Sequence, residues 1–262
     1  MASLTSNTQL AAQMVRREVV GRYRGSFMGM AWSFFNPVLM LGIYTIVFTI
    51  VFKAKWGIDA SGGRANFAIL MFAGLIVYGM FAECVNRAPA LILSNVNYVK
   101  KIVFPLEVLP WVAFGSALFH SLVSTVVLLV VQLLVFHNIP WTVVIFPLIL
   151  LPLAFTTIGI SWFLASLGVY LRDVSHVILV LTSVLLYISP IFYPISAVPV
   201  KYRGVIKLNP LTSLIEGARD TLIYGKIPDF GSWALMMVIG TTVLYVGFVW
   251  FQKTRKGFAD VL

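Results

Sequence analysis

Charged positions in this chain fall into a few clusters, and the stretches between them are long and apolar. No Asp, Glu, Lys or Arg occurs in residues 25–52, 65–82, 108–171, 174–200 or 230–252. A helix that crosses a bilayer needs roughly 20 apolar residues. The stretch 108–171 has room for two such helices, divided at His137-Asn138-Ile139-Pro140. The pattern therefore predicts six spans, near 35–53, 66–84, 107–135, 141–169, 175–192 and 232–251. Long alternating strands separated by turn residues, the mark of a spanning barrel, are missing. The expected fold is an all-α integral membrane protein.

Three polar segments interrupt this pattern. The first is basic and precedes span one: Arg16, Arg17, Arg22 and Arg24 against Glu18, with Leu10, Met14 and Val15 as its apolar positions. Such a helix is expected to lie along an interface. Gly25 and Gly29 follow where the chain turns into the membrane, and Pro37 near the start of span one tolerates a kink. The second segment, 86–105, reads as a short amphipathic helix flanked by Pro89 and Pro105. Leu91, Ile92, Val96 and Val99 share one side, with Asn95, Asn97, Lys100 and Lys101 exposed. So apolar a loop suits docking better than a solvated connector. The third, 194–229, holds four prolines, yet Leu211, Leu214, Ile215 and Ala218 recur at helix spacing. Asn209-Pro210 is a start signal and Gly225 a stop. Short helices that dip partway into the outer leaflet, or lie in it, fit that pattern, because irregular backbone at membrane depth must be covered or line a wet cavity.

Composition agrees with this reading. The chain is 60% hydrophobic and 11% charged, whereas soluble domains carry about 25% charged residues. The net charge of +10 would suggest nucleic acid in a soluble protein. Here the basic residues sit at the edges of apolar runs, where anionic headgroups and membrane orientation account for them, so no nucleic-acid partner is expected. Basic residues close to the first and last spans place both termini in the cytoplasm, with about eleven inside and eight outside. The charge-free stretch after the first arginines is too long for a cleaved signal peptide. The one cysteine, Cys84, excludes an intrachain disulfide.

The chemistry the chain lacks is equally informative. Ion-coupled transporters keep ionisable groups at membrane depth. Glu83, Glu107 and Asp173 all fall at span ends, which leaves His120 as the one candidate mid-span titrating group. No phosphate-cradling G-x-x-x-x-G-K-[ST] loop and no H-E-x-x-H zinc helix occur. Asp173 and His176 could share a helix face, but two residues at a corner do not make an active site. If the chain pumps, the ATP chemistry lies in another polypeptide. Neither a metal nor a cofactor is expected in this one.

Two helix faces suit a substrate with sugars. At about 100° per residue, Phe34, Thr45, Phe48, Thr49 and Phe52 fall within half the circumference of span one, with Tyr44 at the edge. Thr182, Ser189 and Tyr193 share a face of span five. Aromatic rings and hydroxyls stack on and hydrogen-bond to glycans, although ordinary helix packing uses the same residues.

The stretch RYRGSFMGMAWSFFNPVLMLGIYTIVF resembles the N-terminal signature of the membrane subunit of bacterial polysaccharide ABC exporters, in the ABC-2 permease class. VYLRDVSHV at 169–177 is similar to that family's loop between spans four and five, SPIFYPISAVP at 189–199 to its fifth-span exit, and LNPLTSLIEGARDTLIYGKIPD at 208–229 to its outward re-entrant region. The resemblance runs in order over nearly the whole chain. It implies a single ABC-2 type transmembrane domain over 1–262. Within it are a cytoplasmic interface helix (1–30), spans one to five (35–193), an outward re-entrant region (194–230), span six (231–252) and a cytoplasmic tail (253–262). It implies a homodimer in the bacterial inner membrane with two ATP-binding cassette subunits, which bind the ATP and magnesium. A lipid-linked polysaccharide, O-antigen, capsule or teichoic acid, would pass between protomers along spans one and five. Arg87, Leu91, Asn95, Val96, Tyr98, Lys100 and Lys101 would form the coupling helix on the ATPase, and Arg172 with Asp173 a cytoplasmic corner pair. An ABC-2 permease for a smaller lipid or drug, or a channel unrelated to ABC transporters, are the alternatives.

Overall fold

The computed structural model describes residues 8–53, 65–100 and 104–262. Lys101 and the side chains of Thr49, Val99 and Lys100 lie outside the described residues. The described residues are helical apart from their connections, in the order α1 (Thr8–Tyr23), α2 (Trp32–Tyr44), α3 (Ala65–Arg87), α4 (Val96–Lys100), α5 (Val108–Phe136), α6 (Phe146–Tyr170), α7 (Val174–Ile188), α8 (Val200–Leu208), α9 (Pro210–Arg219), α10 (Phe230–Thr254) and α11 (Phe258–Val261). A 3-10 turn at Gly29–Ala31 leads into α2, which continues as a π-helix over Thr45–Val51.

Among the described residues, five helical stretches are long and apolar enough to cross a membrane: Gly29–Phe48, Phe67–Ala90, Val108–Phe136, Trp141–Tyr170 and Phe230–Gly257. α7 is apolar but has only 15 residues, about 22 Å at 1.5 Å per residue. It stops four residues before the expected end of span five, where the backbone turns extended at Ser189 ahead of Pro190. Span one conversely begins earlier than the hydrophobic pattern suggests.

The centre of the bundle is α3. Of its most apolar stretch, 78% of residues are buried, against 11% for span one and 17% for the last span. α3 packs against α5, α6, α7 and α9, while α1 lies across α5. α6 and α10 form the most extensive helix pair. Pro152 lies inside α6 and cannot donate to the Leu148 carbonyl one turn earlier. The indole Nε1 of Trp233 in α10 donates there instead, at 2.9 Å. In lipid, where water cannot reach a freed carbonyl, such a substitute donor lets a proline persist in a span.

α1 and α11 lie at one end of the bundle, where each reaches α4. Arg255, after α10, binds Glu107 at 2.9 Å, and α11 touches α4. At the opposite end the Thr142 hydroxyl donates to the Thr221 carbonyl at 2.7 Å, which seats the α5–α6 turn on the end of α9. The predicted start of a helix at Asn209-Pro210 is observed, with the Asn209 side chain accepting from Leu211 N at 3.0 Å, and Gly225 ends the element. Leu211, Leu214, Ile215 and Ala218 are all buried, so α9 is embedded rather than surface-lying. Asp229 caps α10, and bonds from the Ser232 hydroxyl, then the Ser232 and Gly231 amides, hold its carboxyl below the ordinary range.

Candidate functional site

At the end holding α1 and α11, α1 is strapped to the bundle by charge. Arg17 Nη2 donates to the Tyr98 hydroxyl at 2.9 Å, and Arg87 donates to Glu18. Arg22 Nη2 donates to Glu83 Oε1 at 2.6 Å, and Arg22 Nη1 lies 2.9 Å from His120 Nδ1. Glu83 Oε1 is also 3.3 Å from His120 Nδ1 and 3.8 Å from Arg87 Nη1. Met14 and Val19 fix the apolar side of α1 in the core, while Arg16 and Arg24 remain exposed. The sequence pattern gave His120 no partner on α1 and Glu83 only a span-end position. The signal was there in register: Glu83 and Arg87 are one turn apart on α3, and Glu18 and Arg22 are one turn apart on α1.

The strap makes a prediction. Glu83→Ala removes the acceptor of Arg22 and the carboxylate facing Arg87, and should cost about 1–3 kcal/mol, with Glu83→Gln costing less. Thermal unfolding of the detergent-solubilised protein checks it, and unchanged melting in Glu83→Ala would count against the strap.

The loop after α3 is two 3-10 turns, Ala88–Ala90 and Leu93–Asn95, followed by α4, rather than one amphipathic helix. Pro89 and its neighbours keep the first turn tight against α6. Leu91 and Ile92 are buried in this chain's own core, so they anchor the loop instead of facing outward. Asn95 Nδ2 closes the turn on the Leu91 carbonyl at 2.9 Å, Val96 is half-buried, and Tyr98 stacks on Phe104 at 4.6 Å. Ala90, Ser94 and Asn97 are exposed at helix-like spacing. Arg172 and Asp173 are also exposed, and the Asp173 carbonyl accepts from His176 N at 3.0 Å in the turn that starts α7. Among the described residues no ion pair joins Arg172 and Asp173.

The π-helical end of span one, the start of α3 and the segment after α7 meet in an aromatic stack. The ring of Phe48 lies 5.5 Å from Phe67, 5.9 Å from Phe192 and 5.7 Å from Phe52, and Phe192 lies 5.9 Å from Tyr187. Phe34, Phe52 and Tyr187 are exposed, Tyr44, Thr45 and Phe48 half-buried, and the Thr45 hydroxyl is satisfied by Leu41 O at 2.7 Å. Two of the hydroxyls expected on an open face are instead internal. Thr182 is buried against α3, donating to Asn86 Oδ1 at 2.8 Å, while its carbonyl accepts from the Tyr78 hydroxyl. Ser189 is buried and accepts from Asn209 Nδ2 at 2.9 Å. The reason is that α7 turns its small polar side toward α3 and α9. The Tyr193 hydroxyl folds back on the Ile188 carbonyl at 2.8 Å. A cavity of about 400 Å³ lies beside this stack, bounded by Asn36, Tyr44 and Tyr78 and reaching Arg22, Glu83 and His120 at its far end.

No group of three or more His, Cys, Asp or Glu side chains among the described residues could hold a metal. The described residues present two exposed apolar helix faces, a strapped basic helix and an exposed turn between two apolar helices, as a multi-pass membrane protein would.

Comparison with known proteins supports that reading. Residues 9–223 match the family profile described as ABC-2 type transporter. The chain is 27% identical over 253 residues to the O-antigen export system permease protein RfbA of Myxococcus xanthus, covering 96% of this chain and 94% of that protein. It is 27% identical over 258 residues to the RfbA permease of Klebsiella pneumoniae, covering 97% and 95%. Similarity extends to the polysialic acid transport protein KpsM of Escherichia coli, 22% identical over 255 residues and covering 92% and 91%. With its apolar helices and most of its length matched, this chain belongs to the ABC-2 type transporter family, as a multi-pass membrane permease homologous to O-antigen and polysialic acid export permeases.

Proposed function

We propose that this chain is the channel-forming permease of an ATP-driven exporter that moves a lipid-linked polysaccharide, O-antigen in the first instance, across the bacterial inner membrane. The observation that carries this reading is the end-to-end similarity to permeases of O-antigen export and polysialic acid transport. In this reading the chain crosses six times with both termini in the cytoplasm, and α7 together with residues 189–193 makes the fifth crossing. Two copies pair, and two separate cassette subunits hydrolyse ATP. The exposed faces of α2 and α7 are what a second copy and a passing glycan would use. Phe34, Tyr44, Thr45, Phe48 and Phe52 line that path, with Thr182 and Ser189 buried behind it. The turn presenting Ala90, Ser94 and Asn97, with Lys100 and Lys101 after it, seats on the ATPase, and the Arg172–Asp173 corner faces the same side. α8 and α9 form the outward gate.

Two aromatic residues on this path are expected to play different parts. Phe52 is 68% exposed, whereas Phe48 is stacked between Phe67 and Phe192. Phe52→Ala should reduce glycan export while leaving thermal unfolding unchanged. Phe48→Ala should destabilise the protein by about 1–3 kcal/mol as well, because it removes a ring from a packed stack. Export assayed as surface polysaccharide, alongside melting of the purified variants, distinguishes the two. Full export by Phe52→Ala would return that ring to a packing role.

The parent experiment is co-purification. Extraction of this chain in mild detergent should bring down a cassette ATPase. Purified permease that passes glycan without ATP, and with no ATPase bound, would overturn the proposal.

A further inference from the structure

We infer that Arg219 is the positioning residue of the outward gate, a single side chain that fixes α9 to the outer ends of the second and fifth crossings. Arg219 is fully buried, although it lies in a helix between the bundle and its outer surface. Its guanidinium reaches three separate elements. Nε donates to the Leu70 carbonyl inside α3 at 3.0 Å, Nη2 to the Ile191 carbonyl just beyond α7 at 3.0 Å, and Nη1 to Glu216 Oε1 one turn back on α9 at 2.7 Å. A planar fork with fixed donors suits such a triple contact, and lysine could not reproduce it.

The surroundings are built to admit the fork. The Leu70 carbonyl is a helix-interior acceptor, reachable only where the next turn of α3 carries no side chain. That turn holds Gly74, where an added Cβ would stand 3.1 Å from Arg219 Nη2 and 3.3 Å from Ile215. Ile191 is itself fully buried, in the turn where α7 stops and the chain leaves the bundle. One cation therefore holds together the α3 backbone, the exit of α7 and α9. Glu216 is 38% exposed and borders an outer cavity of about 320 Å³ that also meets Lys207, Asp220, Asp229 and Trp233. The charge pair thus has one member sealed in the bundle and one at the edge of that cavity.

A burial this complete costs free energy unless every donor is used for something. A merely stabilising contact could be made by an apolar side chain. A fork that joins two carbonyls on different elements instead sets where α9 sits relative to α7. If the outer end of α7 shifts during transport, α9 shifts with it. This rests on the reading of α8 and α9 as a gate, and the test below separates the two.

The experiment places spin labels on Tyr187→Cys and Leu208→Cys, both exposed positions, in a full-length chain carrying Cys84→Ala, and measures the distance distribution in liposomes. Small-solute leak is recorded from the same liposomes. With Arg219 in place the distribution is expected to be narrow and the leak low. In Arg219→Met, which keeps length and burial but has no donors, the distribution should broaden and the leak rise several-fold at unchanged helical content. Arg219→Lys should fall between the two. Gly74→Val keeps the arginine but pushes its guanidinium off the α3 backbone, and it should reproduce the Arg219→Met result. It is the deciding variant if Arg219→Met does not insert. A narrow distribution and low leak in the variants that insert would overturn the assignment. Loss of the export reading would show differently, as intact surface polysaccharide in cells lacking the chain, and would leave the distance measurement standing.

Discussion

Gly247→Val is expected to be the most disruptive single substitution in this chain. α6 and α10 cross with backbone against backbone. A Cβ on Gly247 would fall inside the Gly159 carbonyl, 2.8 Å from its carbon and 3.0 Å from its Cα. On the facing side, a Cβ on Gly159 would stand 2.5 Å from the Val243 carbonyl oxygen. Membrane helices gain little from hydrophobic burial against one another and associate through close packing of small residues. Elsewhere α10 is largely exposed, so this crossing is central to holding it, alongside the Trp233 bond to Leu148 O and the Ser166–Thr254 hydroxyl contact. Overpacking a soluble core costs about 1–3 kcal/mol, because side chains can shift. Here both obstacles are backbone, and the helices must separate. Gly247→Val should therefore fail to accumulate as a stable protein, and Gly247→Ala should show a clearly lowered melting temperature in detergent. Normal accumulation and melting of the valine variant would mean that the crossing is not as close as described.

The second large effect is expected at the turn between spans two and three. Val96→Asp, or Asn97→Glu at the exposed position beside it, should leave ATP hydrolysis by the assembled transporter within about twofold of normal. Export should fall by about tenfold or more, the scale of a coupling free energy of 1–3 kcal/mol. Asn97→Glu is the cleaner variant, because Asn97 is exposed and its replacement disturbs no internal packing, whereas Val96 is half-buried. The same outcome is expected for Lys100→Glu combined with Lys101→Glu. ATPase activity and surface polysaccharide measured in the same preparation decide the matter. Normal export in Asn97→Glu would remove the turn from the docking surface.

Much of the fold was legible in the sequence because a bilayer is a severe solvent. Charge-free runs locate the helices, and Asn209-Pro210 and Gly225 bracket α9 by local capping chemistry that needs no tertiary context. The shortness of α7 was less visible, since Ser189 to Tyr193 carries no charge and only the backbone turn at Ser189-Pro190 ends the helix. Which side of a helix faces its neighbours was harder still. In a span nearly every position is apolar, so the usual contrast between core and surface is lost. Thr182 and Ser189 illustrate this: hydroxyls that share a face with Tyr193 in projection are used to bind Asn86 and Asn209. The strap on α1 was hidden for another reason. Arg22 and His120 are 98 residues apart, and no local pattern pairs them. Arg219 likewise reads as one more basic residue in a polar segment, until the structure shows it sealed beneath α9.

Cells lacking this chain should make their long surface polysaccharide and retain it inside, with none at the surface, and expression of the chain should restore display. Surface display that is undiminished without the chain would contradict the claim that this permease exports it.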